Sequence, residues 1–189
     1  LLEDKRADAD GVRRLLGHPH QDIRGFAVLA LSRMAETLDD ALVGCLDDPH
    51  EAVRRTTAFA LGQIGVPEGE KPLLARLRIE ESSKVRTDIW KALGRCGTTV
   101  TLSQMATMKK LHPNLVQAGG LILSRLKADT ASHDFIKTAL KSSDLAVVAA
   151  GFYALSRSRM AIPDQYMVRA AKALETRQHA DIRRACIKL

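Results

Sequence analysis

The chain repeats itself. Aligned on Ile23-Arg24, the same pattern returns at Val53-Arg54, Val85-Arg86, Leu115-Val116, Val147-Val148 and Ile182-Arg183, after steps of 30, 32, 30, 32 and 35 residues. Seven residues beyond the Arg position stand Leu31, Leu61, Leu93, Leu123 and Leu155, each followed by a small residue: Ser32, Gly62, Gly94, Ser124 and Ser156. The residue before that Leu is Ala30, Ala60, Ala92 or Ala154, with Ile122 the exception, as expected where two helices approach closely. A fixed period of a few tens of residues constrains the fold more than any local signal. One unit of that length cannot bury its apolar face alone and must stack on its neighbours.

Within each unit the apolar residues fall at offsets −1, +3, +6, +7 and +10 from the Arg position, which is helical spacing and not the period of two of a strand. A second amphipathic segment precedes it, as in Leu38, Leu42 and Leu46, or Phe135, Ile136, Ala139 and Leu140. The unit is a helical hairpin. The expected fold is therefore all-α, an α-solenoid of about six stacked hairpins forming a single domain over 1–189, with units near 1–35, 36–65, 66–97, 98–128, 129–160 and a truncated 161–189. Three residues before each −1 position lie His20, His50, Ser82, His112, Asp144 and His179, and Pro113 follows His112. This column reads as the start of the second helix. Nine residues after the Arg position come Arg33, Gln63, Arg95, Arg125 and Arg157. The arginines sit where a helix C-terminus favours a cation by about 0.3–1 kcal/mol.

Composition agrees with a folded chain. Of 189 residues 46% are hydrophobic and 27% charged, enough apolar surface to offset ordering entropy. Three cysteines, Cys45, Cys96 and Cys186, are too few and too widely spaced for a disulfide framework and form no C-x-x-C pair; they read as free thiols. The longest apolar run, Leu145 to Leu155, is about half of a bilayer crossing, so no membrane insertion is expected. The chain begins on Leu with no charged-then-apolar leader. That points to a processed or truncated piece without its targeting signal, which leaves the compartment open.

The stretches Asp48-Pro-His-Glu-Ala-Val-Arg54 and Phe59-Ala-Leu-Gly-Gln-Ile-Gly65 resemble the short HEAT-like repeat of phycobilisome bilin lyases, which runs Asp-Pro-x-x-x-Val-Arg and then Ala-Leu-Gly. The resemblance covers nearly the whole chain. It is strongest in the second and third units and weakest in the fourth and fifth, where Val116 and Val148 replace the Arg. It implies a ladder of acid and Arg from successive units, a pattern that Asp48 with Arg54 and Glu80 with Arg86 match, and whose absence in units four and five leaves packing to apolar contacts around Gly119 and Gly120. Some bacterial members join such repeats to a cyclophilin-type prolyl isomerase, and the opening Leu1-Leu-Glu-Asp-Lys-Arg6 is similar to the lead-in of that group. The family is a scaffold shared by unrelated functions, so the resemblance implies a fold and not an activity.

Four histidines in one column suggest zinc. Stacked helices lie about 10 Å apart and zinc ligands about 2 Å from the metal, so successive histidines cannot share an ion, and helix capping is the expected role. The His50-Glu51 pair resembles the pairs of deoxyhypusine hydroxylase, but it precedes the helix and occurs once. A net charge of +7 suggests phosphate binding. Base excision of the HEAT-like glycosylase kind would need aromatic residues, which are 4% here, and the sole Trp, Trp90, falls in a column flanking the core. A bilin-lyase-like activity has no nucleophile or acid–base pair to carry it. No catalytic residue, cofactor or metal is therefore expected, which leaves room for a separate catalytic domain in a longer parent.

The face of each second helix opposite the core is more informative. At 100° per residue, offsets +1, +5 and +8 lie opposite the apolar stripe. Offset +5 reads Leu29, Phe59, Lys91, Leu121, Tyr153 and Lys188. A solvated face has no reason to repeat large apolar side chains, whereas a binding face combines apolar anchors with cations. The expected partner-binding residues are Arg55, Phe59, Lys91, Arg95, Leu121, Arg125, Tyr153 and Arg157, acting on a protein or peptide with acidic segments. Electrostatic nucleic-acid binding is the alternative, and an enzyme of the family kind the third. The competing structural expectation is that neighbouring helices cover these side chains in a tightly curved stack.

Overall fold

The computed structural model describes residues 2–34, 37–126, 130–158 and 164–175, with single positions 180, 184 and 187. Among the described residues the chain is all-α. Its helices are α1 (Leu2–Leu15), α2 (Gln21–Met34), α3 (Asp40–Gly44, continued by a 3-10 turn over Cys45–Asp47), α4 (Glu51–Ile64), α5 (Glu70–Ile79), α6 (Ser83–Cys96), α7 (Thr99–Ala106), α8 (Pro113–Arg125), α9 (Thr130–Leu140), α10 (Leu145–Arg157) and α11 (Asp164–Glu175). They alternate as first and second helices of hairpins, with each second helix starting where the repeat places it. The chain forms two compact units, Leu1–Cys96 and Gly97–Leu189, divided between the third and fourth repeats. The sixth repeat's second helix, including His179, Ile182-Arg183, Cys186 and Lys188, lies outside the described residues except for single positions.

In the first unit α4 packs between α2 and α6. Its core is aliphatic: Val28, Leu31, Leu42, Val53, Leu61, Leu73, Ile89 and Leu93 are buried, with Trp90 beside them. The small residues after each Leu do what their column implies. A Cβ added at Gly62 would stand 2.8 Å from the Cα of Ala92, so α4 and α6 touch backbone to backbone. Gly65 ends α4 at φ 70°, a left-handed conformation that favours glycine.

The ionic ladder joins successive repeats, each acid being taken by the Arg of the repeat before it. Asp48 receives Arg24 of the preceding repeat through Nε at 2.6 Å and Nη2 at 2.9 Å. Glu80 receives Arg54 in the same way, at 2.9 and 3.1 Å, and also Arg76 at 2.9 Å. Within a repeat, Arg54 reaches only main-chain oxygens, those of Asp48 at 2.9 Å and Pro49 at 3.1 Å. Arg86 likewise meets the carbonyls of Leu77 and Glu80 and not the Glu80 carboxylate. Each Arg thus closes the turn of its own hairpin with one nitrogen, and in the first two repeats the other two clamp the acid of the next hairpin. Bidentate geometry of this kind is what a guanidinium supplies and an ammonium does not.

In the second unit α8 packs on α10, and α9 lies against α7 and α10. Val116 and Val148, at the Arg position, are buried, and neither supplies a cation for a rung. Packing rests instead on Phe135, Ile136, Leu115, Ile122, Phe152 and Leu155, all buried. A Cβ at Gly119 would collide with the Phe135 ring, and one at Gly120 would stand 3.0 Å from the Cα of Ala154.

Candidate functional site

The helix-start column is divided in its work. His112 Nδ1 accepts from the Asn114 N–H at 3.3 Å, Asp144 Oδ1 from Ala146 at 2.8 Å, His20 Nδ1 from Asp22 at 3.3 Å and the Ser82 hydroxyl from Val85 at 3.4 Å. His50 departs from the expected capping. Its side chain makes no cap bond to α4; the ring Nδ1 lies 3.0 Å from Arg24 Nη2, and its own N–H donates to Asp48 at 2.8 Å. The adjacent Glu51 accepts the Ser82 hydroxyl at 2.9 Å. Among the described residues no group of three or more His, Cys, Asp or Glu is arranged to hold a metal. Cys45 and Cys96 are buried free thiols, and burial, with Asp48 nearby, pushes the Cys45 pKa up to about 11.

The acids of the ladder are held ionised. Burial pushes the Glu80 carboxyl up, yet hydrogen bonds from Arg54, the Ser82 N–H and Arg76 outweigh it and bring the pKa down to about 2. Burial likewise pushes the Asp48 carboxyl up, and hydrogen bonds from Arg24 and the His50 N–H overcome it, so that its pKa ends below the usual carboxylate value. The chemistry of this edge is structural: both ladder acids are bound by arginines.

The opposite face is different. At offset +5 neighbouring helices leave Phe59 50% exposed, Leu121 42% and Tyr153 37%, whereas Leu29 is half-buried. In the first unit, the groove between α4 and α6 opens beside Phe59 into a cleft of about 190 Å³, lined by Phe59, Gly62, Asp88, Lys91, Ala92 and Arg95. A second depression of about 240 Å³ adjoins it, lined by Arg55, Ser83, Lys84, Thr87, Asp88 and Lys91. Four of the eight expected residues meet here. Two of them are engaged: Arg55 Nε donates to Asp88 at 2.8 Å and Lys91 Nζ to the same carboxylate at 3.2 Å. Asp88 is not among the residues expected from the sequence. Its only signal was the spacing of three to Lys91, a helical ion-pair spacing.

In the second unit, Leu121 on α8 and Tyr153 on α10 repeat the register of Phe59 and Lys91. Arg125 and Arg157 stand in the last turns of their helices. Arg125 also has a structural task, donating from Nη2 to the Gly97 carbonyl at 3.0 Å. The eight residues therefore fall into two groups of four, one in each unit.

Residues 39–118 match the sequence family described as HEAT repeats. No curated protein matches the chain. Among solved structures, the crystal structure of an engineered protein, a Northeast Structural Genomics Consortium target, is similar over 96% of this chain and 94% of its own, with 17% identity and a TM-score of 0.58. At that identity the likeness concerns the fold alone. No helix among the described residues is long and apolar enough to cross a membrane. The hairpin period and the helix packing of the described residues agree with the HEAT-repeat match over residues 39–118.

Proposed function

We propose that the chain is a non-catalytic module that binds protein or peptide through the exposed face of its second helices, with Arg55, Phe59, Lys91 and Arg95 in the first unit and Leu121, Arg125, Tyr153 and Arg157 in the second. One observation carries the reading: Phe59, Leu121 and Tyr153, at the same register position, are all exposed and stand among cations. Exposed apolar anchors ringed by charge are how interfaces concentrate binding energy, and the cations favour acidic segments by steering and orientation. The Asp-Pro-x-x-x-Val-Arg pattern resembles the bilin-lyase type of repeat, here as a scaffold without the lyase chemistry.

The test is selection of peptides on the purified chain from a random display library, followed by affinities for Phe59→Ala and Tyr153→Ala. Each truncation should cost about tenfold or more in affinity if the side chain is an anchor, with the melting curve preserved because both side chains are exposed. Unchanged affinity in both variants would sink the reading. The +7 charge favours one second reading, electrostatic nucleic-acid binding. It predicts affinity for an oligonucleotide that falls steeply between low and physiological salt, whereas an apolar-anchored peptide loses little.

A further inference from the structure

The groove between α4 and α6 is chemically graded along its length. At one end Arg55 and Lys84 stand beside the hydroxyl-bearing Ser83 and Thr87. At the other, Phe59, Gly62 and Ala92 form an apolar floor with Arg95 at the rim. The floor lies where the helices touch, since Gly62 meets the Ala92 backbone. Between the ends sits Asp88, its carboxylate held by Arg55 and Lys91. Lys84, Lys91 and Arg95 are exposed, so the groove keeps an excess of positive charge even after Asp88 is counted.

These positions set a spacing. Lys84 and Ala92 are eight residues apart on one helix, about 12 Å at 1.5 Å per residue, which an extended chain covers in three to four residues. Arg95 lies one turn beyond Ala92, about 5 Å, or one to two extended residues.

Resting on the peptide-binding reading above, we propose that this groove takes an extended peptide with one apolar side chain flanked by two carboxylates. The apolar side chain lies over Phe59, Gly62 and Ala92. One carboxylate, three to four residues away, meets Lys84 and Arg55, and the other, one to two residues away on the opposite side, meets Arg95. Charge complementarity selects this occupant, and Asp88 adds discrimination by opposing a carboxylate placed between the apolar residue and the distant acid. Specificity of this kind comes as much from the disfavoured arrangement as from the favoured one.

The experiment compares fluorescein-labelled synthetic peptides of equal length on the intact chain by anisotropy. One peptide carries Leu with Asp four residues before it and Asp two residues after; a second moves the distant Asp to a position one residue from Leu; a third replaces Leu with Ser. The first should bind about tenfold more tightly than either of the others. Phe59→Ala should remove most of that preference. Lys84→Glu, at an exposed position that leaves the fold intact, should reverse it in favour of a peptide with Lys in place of the distant Asp. Equal binding of ordered and rearranged peptides overturns the proposal, as does a Lys84→Glu variant with unchanged ranking. If display-selected peptides bind through Leu121 and Tyr153 while this panel shows no ranking, the groove assignment fails and the peptide-binding reading stands. If no peptide binds and an oligonucleotide does, with steep salt dependence, both fail.

Discussion

The two units use one repeat to solve the same stacking problem with different chemistry. In the first, guanidinium groups at the Arg position clamp the acid of the next hairpin, Arg24 on Asp48 and Arg54 on Glu80. In the second, Val116 and Val148 fill that position and are buried. The exchange reaches further than one column. At offset +3 the first unit carries Ala27, Thr57 and Ile89, and the second carries Gly119 and Gly151. The space left by those glycines is taken by α9, the first helix of the fifth hairpin: Phe135 fills against Gly119 of the hairpin before, and Leu140 approaches Gly151 of its own. Volume has moved from the second helix to the first while the core stays closed. The tight helix contact has also moved, from offset +8 at Gly62 to offset +4 at Gly120, one turn nearer the helix start.

The largest expected effect comes from breaking a rung. Arg54→Ala leaves Glu80, whose side chain is 1% exposed, with Arg76 as its remaining cation. Removing one partner of a buried ion pair costs about 3–5 kcal/mol, and Arg76 keeps this case near the lower end. Trp90, the sole Trp and buried in the first unit, reports the change directly. Its fluorescence should unfold at lower denaturant in the variant. Hydrogen exchange of α8 and α10 should move less, because stability in stacked repeats is a sum of local and neighbour terms.

Acid sharpens the same contrast. Glu80 and Asp48 have folded pKa values below their ordinary ones, 4.5 and 3.8. The sign is that of a depressed acid: the stabilisation is complete above the unfolded value and is lost as pH falls through the folded one, about 2 for Glu80. Allowing for solvent around the arginines, the loss between about pH 5 and pH 2 is about 2 kcal/mol. The Trp90 transition should follow it. In Arg54→Ala that pH dependence should flatten, since the Glu80 pKa rises toward the ordinary value. An unchanged slope would disprove the ladder's role.

The second unit has its own weak point. Gly119→Ala drives a methyl group into the buried Phe135 ring. Overpacking costs about 1–3 kcal/mol, and the severity of this clash puts it in the upper part of that range, so that after up to about 1 kcal/mol of helix propensity the net loss is about 1–2 kcal/mol. Phe135→Leu in the same chain should recover part of that loss, and a double-mutant cycle on thermal melts measures the coupling. Alanine at this offset is native in the first unit, as Ala27. The same substitution is therefore tolerated or harmful according to what the first helix supplies.

Much of this was legible beforehand because stacking must repeat. The period, the apolar offsets and the small columns are each enforced once per hairpin, and they predicted every described second helix. Harder to read was anything that depends on a neighbouring unit's register. Asp48 and Arg54 stand six residues apart, yet the carboxylate's partner is Arg24 of the hairpin before. That choice is set by how far one helix is offset along the next, which no single unit encodes. Asp88 escaped notice for a related reason: its partner Arg55 is 33 residues away and belongs to a column with no recurring type. The exposure of Phe59, Leu121 and Tyr153 could be posed as a question from the sequence, but only packing answers it.

The smallest expected effect divides the helix-start column. Asp144 caps α10 with a hydrogen bond to Ala146, and its replacement by Ala should cost about 1 kcal/mol. His50 occupies the same position on α4 without a side-chain cap bond. The turn there is closed by Asp48, which accepts the His50 N–H whatever side chain residue 50 carries. His50→Ala should therefore stay within about 0.5 kcal/mol of the parent, as exposed substitutions usually do. Paired denaturant titrations of the two variants decide the point. If His50→Ala costs as much as Asp144→Ala, the imidazole contributes to the rung through its 3.0 Å approach to Arg24, and the ladder of the first unit has three members at that rung where the sequence pattern supplies two. If the costs differ as expected, the start of α4 is held by the acid of its turn, and that of α10 by the capping residue itself.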